Sequence, residues 1–255
     1  MNVVKGHLDS GLRGWKDVGA KVTYLKRGGI QVPEIYIPSS VQSNKLLLIV
    51  SGFHLEETSG PLLLLNSGGC SPLIAKILEK MNVLIFPVIN QYGLAFDEAG
   101  SDKFLRYNQN GINFNTAWGF KKEKCKEVEI VEPRLIELHN KYQIVFVLSL
   151  HEDSTEPGKG YLWINNVVKD KRMKIQTSLE SKVDKKILLQ MKSTVGLREG
   201  KIEKGFSVID AKDESFENFT SEILGIPTLV SEAPFGLDLE TRMAFHKASL
   251  SSLPL

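Results

Sequence analysis

The chain has 255 residues, of which 42% are hydrophobic, 8% aromatic and 24% charged. This composition is typical of a globular protein and excludes disordered, collagen-like, coiled-coil and small disulfide-stabilised classes. Because 32 Lys and Arg stand against 30 Asp and Glu, the net charge of +2 gives no indication of a nucleic-acid partner.

The two cysteines, Cys70 and Cys125, are too few and too far apart for a disulfide framework or a thiolate zinc site, and both are expected to be reduced. No apolar run approaches the roughly 20 residues of a spanning helix. The first 16 residues contain no secretory leader, so a cytoplasmic location without membrane contact is the default expectation. Walker A, GxGxxG, HExxH and GxSxG strings are absent from the sequence.

In chain order, short alternating stretches at 22–24 and 34–37 predict an antiparallel hairpin or edge. Continuous apolar runs bounded by turn residues predict buried strands, because a sheet covered on both faces has no polar side. These runs are residues 45–50, 83–89, 143–150 and 227–231.

Helical spacing of apolar residues alternates with these strands. The predicted helices are residues 71–81, 127–141 with Pro133 in the first turn, 168–192, 215–224 and 239–251. Alternation of strands and helices predicts an α/β fold with a mixed, largely parallel sheet. Since no linker or repeat interrupts the pattern, residues 1–255 are predicted to form a single domain. Residues 90–118 show no strong period and are predicted to be an ordered functional loop.

Three predicted strands end in residues that can bind or activate a metal. The first is followed by His54 and Glu57, the next by His151, and the last by Glu232. Because ligands bind outside the carboxyl ends of strands in α/β sheets, these side chains are expected to converge. Two histidines and one glutamate form a recurring catalytic zinc set, and a second glutamate would serve as the base.

Four segments resemble motifs of the zinc carboxypeptidase family, in the family's order. His54-Leu55-Glu56-Glu57 is similar to HxxE, and residues 106–115 (RYNQNGINFN) are similar to RxNxxGxDLNR. His151 lies where the third zinc ligand is expected, and residues 231–234 (SEAP) resemble the ExP element of the catalytic glutamate.

The resemblance implies a three-layer α/β/α sandwich that binds one Zn²⁺ and hydrolyses an amide bond. By position, His54, Glu57 and His151 would bind zinc, with Glu57 favoured over Glu56 by the HxxE spacing. Glu232 would act as the general base. The remaining roles implied are stabilisation of the oxyanion by Arg106 and binding of the substrate carboxylate by Asn115.

Two departures from the family pattern concern the substrate. Thr116 stands where the family has the arginine that clamps a terminal carboxylate, and a hydroxyl cannot replace that charge. The substrate-capping tyrosine is also missing, since Tyr161 comes too early and lies in a predicted strand. These departures and the compactness of the chain make it look nearer to the succinylglutamate desuccinylase–aspartoacylase branch, or to amidases beside that branch.

Two hypotheses follow for the function. One is a zinc hydrolase, either a carboxypeptidase acting on small peptides or a deacylase acting on N-acyl amino acids. The alternative is a binding or regulatory protein that binds metal without turnover. A third idea, a structural role without metal, would require the order of the motifs to be a coincidence. Glu152 and Asp153 are open to three interpretations: supporting groups behind the ligands, contacts to a substrate amine, or a solvated loop. The sequence does not predict the oligomeric state.

Overall fold

The computed structural model describes residues 3–96, 104–121, 123–195, 198–203, 205–208 and 213–255. The strands are β1 (Lys21–Arg27), β2 (Ile30–Ile37), β3 (Lys45–Ser51), β4 (Asn82–Phe86), β5 (Gln143–Asp153), β6 (Tyr161–Asn165), β7 (Met191–Val195), β8 (Arg198–Glu203), β9 (Phe206–Val208) and β10 (Thr228–Pro234). The helices are α1 (Val3–Asp17), α2 (Ser59–Leu65), α3 (Ser67–Leu78), α4 (Gln91–Phe96), α5 (Lys126–Lys141), α6 (Lys169–Glu180), α7 (Phe216–Asn218), which continues into a π-helical segment (Phe219–Ile223), and α8 (Leu239–Ser251).

The described strands form one mixed sheet in the order β1-β2-β4-β3-β5-β10-β6-β9-β8-β7. Its four central strands, β4, β3, β5 and β10, are parallel to one another. Because they are parallel, β3, β5 and β10 end at the same edge of the sheet, which is where the candidate site lies.

Apolar side chains of the central strands supply both faces of the sheet. In β3, Leu47 and Ile49 belong to a core with α1, α2, α3, α6 and α8, while Leu46, Leu48 and Val50 belong to a second core with α5 and α7. Successive residues of a strand point to opposite faces, so a continuous apolar run is buried on both. The predicted three-layer α/β/α architecture with a mixed sheet and a parallel centre is confirmed.

The predicted N-terminal hairpin is present as β1 and β2. Gly28 and Gly29 link its strands, with φ of 54° and 84°. Two successive positive φ values match the turn whose twist suits a two-residue hairpin, and glycine adopts them without a steric penalty.

Several predicted element boundaries are wrong. The helix predicted at 168–192 ends at Glu180, although Val183 lies at the next helical spacing after Leu179 and is also buried, and β7 begins at Met191. The strand predicted at 83–89 ends at Phe86, directly before a proline, which cannot donate a ladder hydrogen bond. Pro133 lies inside α5 rather than in its first turn.

Other elements differ from the sequence prediction in kind. The predicted loop at 90–118 begins with helix α4, and residues 97–103 lie outside the described part. Helix α1 was not predicted. It is anchored by Trp15, whose Nε1 donates to the carbonyl of Leu64 at 2.6 Å. The helix predicted at 215–224 is a short α-helical turn followed by a π-helical segment.

The structure also bears on the expectations for membrane-spanning helices and for the two cysteines. No helix in the described ranges is both long and apolar enough to cross a bilayer. Cys125 is a buried free thiol, and burial raises its pKa to about 12. The side chain of Cys70 lies outside the described part of the chain.

Candidate metal centre

A tight turn after β3 brings His54 to the carboxyl edge of the sheet. Gly52 has a φ of 69°, and a Cβ at this position would lie 2.8 Å from Cα of Val88. Only glycine fits both the backbone conformation and the close approach. The chain therefore reverses directly after β3 and carries Phe53 and His54 over the end of the neighbouring strand.

One carboxylate joins the two predicted histidine ligands. Nδ1 of His54 lies 2.6 Å from Oε1 of Glu57, and Nδ1 of His151 lies 2.8 Å from Oε2 of the same group. Each of the three residues is 5% exposed, and the two imidazole centroids are 5.6 Å apart. The structure thus brings His54, Glu57 and His151 together as the sequence analysis expected.

This donor set fits a zinc ion. One potential ligand atom from each residue lies within 4.8 Å of the others, and the set combines two imidazole nitrogens with one carboxylate oxygen. Catalytic zinc sites commonly use three such protein ligands and leave the fourth position to water or substrate. Because the cluster borders a cavity, a fourth position would be accessible.

Charge complementarity dominates the titration of the cluster. Burial alone would raise the pKa of Glu57, but the adjacent His54 and His151 hold it well below its ordinary value. Burial alone would lower the pKa of His151, but Glu57 and then Glu217 raise it well above its ordinary value. The negative charge of Glu57 is therefore buried between the two imidazoles, at the place where a cation would bind.

Each imidazole has a partner on its other nitrogen. Nε2 of His54 lies 3.0 Å from Oδ1 of Asn113, and Nε2 of His151 lies 3.1 Å from Oε1 of Glu217. An acceptor at this nitrogen fixes the tautomer that leaves Nδ1 free to bind a metal. The Phe53 ring, stacked on His151 at 5.4 Å, further restricts its orientation.

Glu217 is a site residue that the sequence analysis missed. It lies on the short helix α7, is 2% exposed and accepts hydrogen bonds from Ser149 Oγ at 2.7 Å and Asn115 Nδ2 at 3.2 Å. Its local sequence, FEN, resembles no ligand motif. The one available signal was a glutamate between two phenylalanines on an apolar turn.

Glu152 contacts Glu57, the carboxylate at the middle of the cluster. Its backbone N–H donates to Glu57 Oε2 at 3.2 Å, and its carboxylate accepts from the backbone N–H of Ser59 at 2.6 Å. The same carboxylate pairs with the guanidinium of Arg242 on α8. This placement matches the interpretation of Glu152 as a supporting group.

Arg106 lies beside the cluster and is bound by two carboxylates. Its Nε donates to Glu56 at 2.7 Å and one terminal nitrogen donates to Glu57 Oε1 at 3.0 Å. The other terminal nitrogen lies 3.4 Å from His54 Nε2. Glu56 therefore pairs with Arg106 at the position next to the ligand Glu57.

Glu232 lies on β10, in register with His151 of β5 on one side and with Tyr161 of β6 on the other. Tyr161 is in a strand, as predicted, and its hydroxyl donates to Asp153 Oδ2 at 2.6 Å. Burial, together with the negative charges of Glu232 and Asp153, raises the pKa of Tyr161. The phenol is therefore a neutral donor at neutral pH.

These groups surround a cavity of about 450 Å³. Every residue singled out as a candidate ligand, base, oxyanion donor or substrate contact reaches its wall. The described lining residues are His54, Glu56, Glu57, Arg106, Asn113, Asn115, Thr116, His151, Glu152, Asp153, Ser154, Thr155, Tyr161, Trp163 and Glu232.

The two predicted substrate contacts differ in their surroundings. Thr116 is exposed and also borders a second hollow of about 370 Å³ with Tyr107, Asn110 and Lys121. Asn115 is 7% exposed, and its Nδ2 donates to Glu217, so part of its hydrogen bonding supports the metal centre.

Comparison with known proteins identifies the fold. No family model matches the sequence, and no curated protein matches it. The chain superposes on a provisionally assigned metallopeptidase from Shewanella amazonensis with a TM-score of 0.74 and 20% identity, covering 96% of this chain and 90% of that one. A metallo-carboxypeptidase from Burkholderia cenocepacia gives 0.71 and 15%, covering 95% and 66%. Thrombin activatable fibrinolysis inhibitor gives 0.68 and 12%, covering 97% and 76%.

The TM-scores establish a shared architecture, and because the sequence identities are this low they establish nothing finer. The protein therefore has the zinc carboxypeptidase fold, and its His54–Glu57–His151 cluster lies at the carboxyl edge of the parallel strands. These matches do not confirm the desuccinylase–aspartoacylase branch.

Proposed function

We propose that the protein is a zinc-dependent hydrolase that cleaves an amide bond in a small peptide or an N-acyl amino acid. One observation carries this proposal: His54, Glu57 and His151 converge on a cavity whose wall also contains Glu232. Three buried ligands beside a separate carboxylate are the groups that metal-assisted hydrolysis requires.

His54, Glu57 and His151 would hold the zinc ion. Zinc bound by such a set lowers the pKa of its water to about 7 and so supplies a nucleophile near neutral pH. Asn113 and Glu217 would keep the two imidazoles oriented by accepting their Nε2 protons. Ser149 and Asn115 in turn fix the Glu217 carboxylate.

Glu232 would accept a proton from the attacking water and later donate it to the leaving nitrogen. Its place in strand register with His151 supports this role, because it lies beside the ligands without being one of the three clustered groups. A positioned carboxylate of this kind contributes roughly 10²–10⁴-fold to the rate.

Arg106 would donate to the oxygen that becomes negatively charged as the carbonyl is attacked. A guanidinium has five N–H donors, so Arg106 can keep its bonds to Glu56 and Glu57 and still direct a further N–H into the cavity. Losing one donor to the oxyanion typically costs about 10²–10³-fold in rate.

Thr116 separates the two candidate substrate classes. A carboxypeptidase binds the terminal carboxylate of its substrate, and Thr116 supplies no positive charge for that group. A deacylase also needs contacts to the acyl group of its substrate. The exposed position of Thr116, between the cavity and the neighbouring hollow, supports a substrate without a clamped terminal carboxylate. We place the chain nearer to the desuccinylase–aspartoacylase branch, although that branch too normally keeps the arginine that Thr116 replaces.

The test is the substitution Glu232→Gln. We expect the variant to bind zinc with wild-type stoichiometry, measured by elemental analysis, and to lose at least 10²-fold in turnover on a panel of peptides, muropeptides and N-acyl amino acids. Glu79→Gln, at an exposed position away from the cavity, is the matched control. Full activity of Glu232→Gln would contradict the assignment of the base.

The alternative function is metal binding without turnover. Loss of the arginine at position 116 and of the capping tyrosine motivates it, while the presence of Glu232 in the cavity wall supports a hydrolase. Zinc-dependent hydrolysis of any member of the panel would exclude the alternative. Stoichiometric zinc with no hydrolysis of any member would favour it.

A further inference from the structure

Carboxylates dominate the wall of the candidate site. Of the described residues that line the cavity, five are acidic and one, Arg106, is a lysine or arginine. The acidic residues are Glu56, Glu57, Glu152, Asp153 and Glu232. A cavity built to receive a substrate carboxylate would be expected to show the opposite balance.

The cations near the cavity are already engaged. Arg106 binds Glu56 and Glu57, and Arg242 binds Glu152. Thr116 adds a hydroxyl and no charge at the position where an arginine would bind a carboxylate. Because the further N–H of Arg106 is assigned to the oxyanion, a substrate carboxylate would have to compete with that role or displace an existing ion pair.

Asp153 differs from the paired carboxylates, because its described partners are neutral. Thr155 donates its backbone N–H to Oδ1 at 2.7 Å and its hydroxyl to Oδ2 at 2.8 Å, and Tyr161 donates its hydroxyl to Oδ2 at 2.6 Å. Three donors hold the carboxylate in one orientation without neutralising it.

A second acceptor in the same wall lacks a donor. Asn115 is 7% exposed, and its Oδ1 receives no hydrogen bond from any described residue, while its Nδ2 is bound by Glu217. A buried acceptor without a donor destabilises the folded protein. A ligand that brings an N–H group into the cavity would remove that destabilisation.

We propose that the substrate carries a primary ammonium group that binds the carboxylate of Asp153, and that it brings an N–H donor to Asn115. This inference rests on the proposed function and narrows its substrate class from amides in general to amino-group-bearing amides. Asp153 is then a specificity-determining residue, placed beside Tyr161 and Glu232 but outside the metal cluster. The same charge distribution disfavours substrates with a free carboxylate at this end.

The test is calorimetric binding to the zinc-loaded Glu232→Gln variant, which keeps the probes intact. Two probe pairs differ in one ammonium group: Nα-acetyl-lysine methylamide with Nα-acetyl-norleucine methylamide, and leucine methylamide with N-acetyl-leucine methylamide. We expect the ammonium member of at least one pair to bind about tenfold more tightly, as one charge-assisted bond predicts. Equal affinities within both pairs would overturn the proposal.

The variant Asp153→Asn in the same background tests the residue. It should bring the affinity ratio of the preferred pair below threefold, whereas Asp17→Asn, at an exposed position at the end of α1, should leave the ratio unchanged. A ratio retained in Asp153→Asn would overturn the role of Asp153. The probe comparison itself does not depend on the folding of that variant.

Failure of the proposed hydrolase and failure of the ammonium site give different results. If wild-type zinc protein hydrolyses no member of the substrate panel but the ammonium preference and its dependence on Asp153 persist, the hydrolase is contradicted and the ammonium site is supported. A second result is hydrolysis together with tighter binding of Nα-acetyl-norleucine, which has a free carboxylate, than of Nα-acetyl-lysine methylamide. In that case the hydrolase is supported and the ammonium site is overturned.

Discussion

Nε2 of His151 lies 3.1 Å from Oε1 of Glu217, although 65 residues separate the two in the chain. The contact joins the end of β5 to a three-residue helix, and both side chains are buried. Two further donors, Ser149 Oγ and Asn115 Nδ2, bind the same carboxylate. Glu217 therefore accepts three hydrogen bonds while it orients His151, one of the three candidate ligands.

Replacing Glu217 by Gln should weaken zinc binding by about 10–100-fold, the usual cost of losing a partner behind a metal ligand. A glutamine amide has one acceptor oxygen and would set its own N–H groups against one of the three donors. Competition with a fluorescent zinc chelator measures the affinity. Glu214→Gln, an exposed position nearby, is the control, and equal zinc affinity in both variants would contradict the role.

Replacing Gly52 by Ala should destabilise the fold by about 1–3 kcal/mol and lower zinc affinity. The new Cβ would lie 2.8 Å from Cα of Val88, and the displaced turn carries His54. Gly19→Ala is the matched control, because Gly19 has a φ of 87° with no atom within 4 Å of the added Cβ. Urea unfolding gives the free energies of both variants. Zinc affinity reduced equally in both would contradict the argument.

The buried His246 should make unfolding free energy depend on pH. Burial lowers its pKa to about 3, so between about pH 3 and its ordinary value of 6.5 the unfolded chain binds a proton that the folded chain does not. Stability is then lost as the pH falls below 6.5, by up to about 1.4 kcal/mol per unit.

His246→Asn should remove this part of the slope, because asparagine does not titrate in this range. Its side-chain amide can still reach toward Ser231 Oγ, which lies 2.9 Å from His246 Nδ1. Urea unfolding of chelator-treated protein at pH 4.5, 5.5 and 6.5 measures the difference from wild type. Parallel pH dependences in the two proteins would show that His246 is not the titrating group.

Thr116→Arg should raise kcat/KM for a peptide with a free terminal carboxylate relative to the same peptide amide. A charge-assisted hydrogen bond is worth about 1.5–3 kcal/mol, so the ratio should rise at least about tenfold. Thr116 is exposed at the cavity edge, where a longer side chain can be accommodated. Thr116→Gln is the control for side-chain length without charge, and an equal rise in both variants would exclude an electrostatic effect.

The sheet could be predicted because burial on both faces leaves a strong local pattern. The run at 45–50 is apolar at almost every position, and it forms β3 with side chains in both cores. Helix α8 has the predicted bounds, 239–251, because Asp238 caps its start by accepting a hydrogen bond from the backbone N–H of Thr241.

Elements whose limits depend on distant contacts could not be predicted. Helix α1 is anchored by the hydrogen bond from Trp15 to the carbonyl of Leu64, and helix α6 packs through Ile175 and Leu179 into the core on one face of the sheet. Neither contact has a signature within a few residues of the element. Local periodicity reports which residues prefer burial and leaves open the surface that buries them.

The sequence by itself determined the parallel strand core and the residues near the end of each strand, because apolar runs are local features of the chain. It thereby placed His54, Glu57, His151 and Glu232 at one edge of the sheet. The strand ends themselves were placed too early, since His151 lies within β5 and Glu232 within β10. Only the tertiary structure decided that Glu217 holds His151 and that neutral donors hold Asp153. The contact of Glu217 joins segments far apart in the chain, whereas the donors to Asp153 are close in sequence and are brought to it by the turn between β5 and β6.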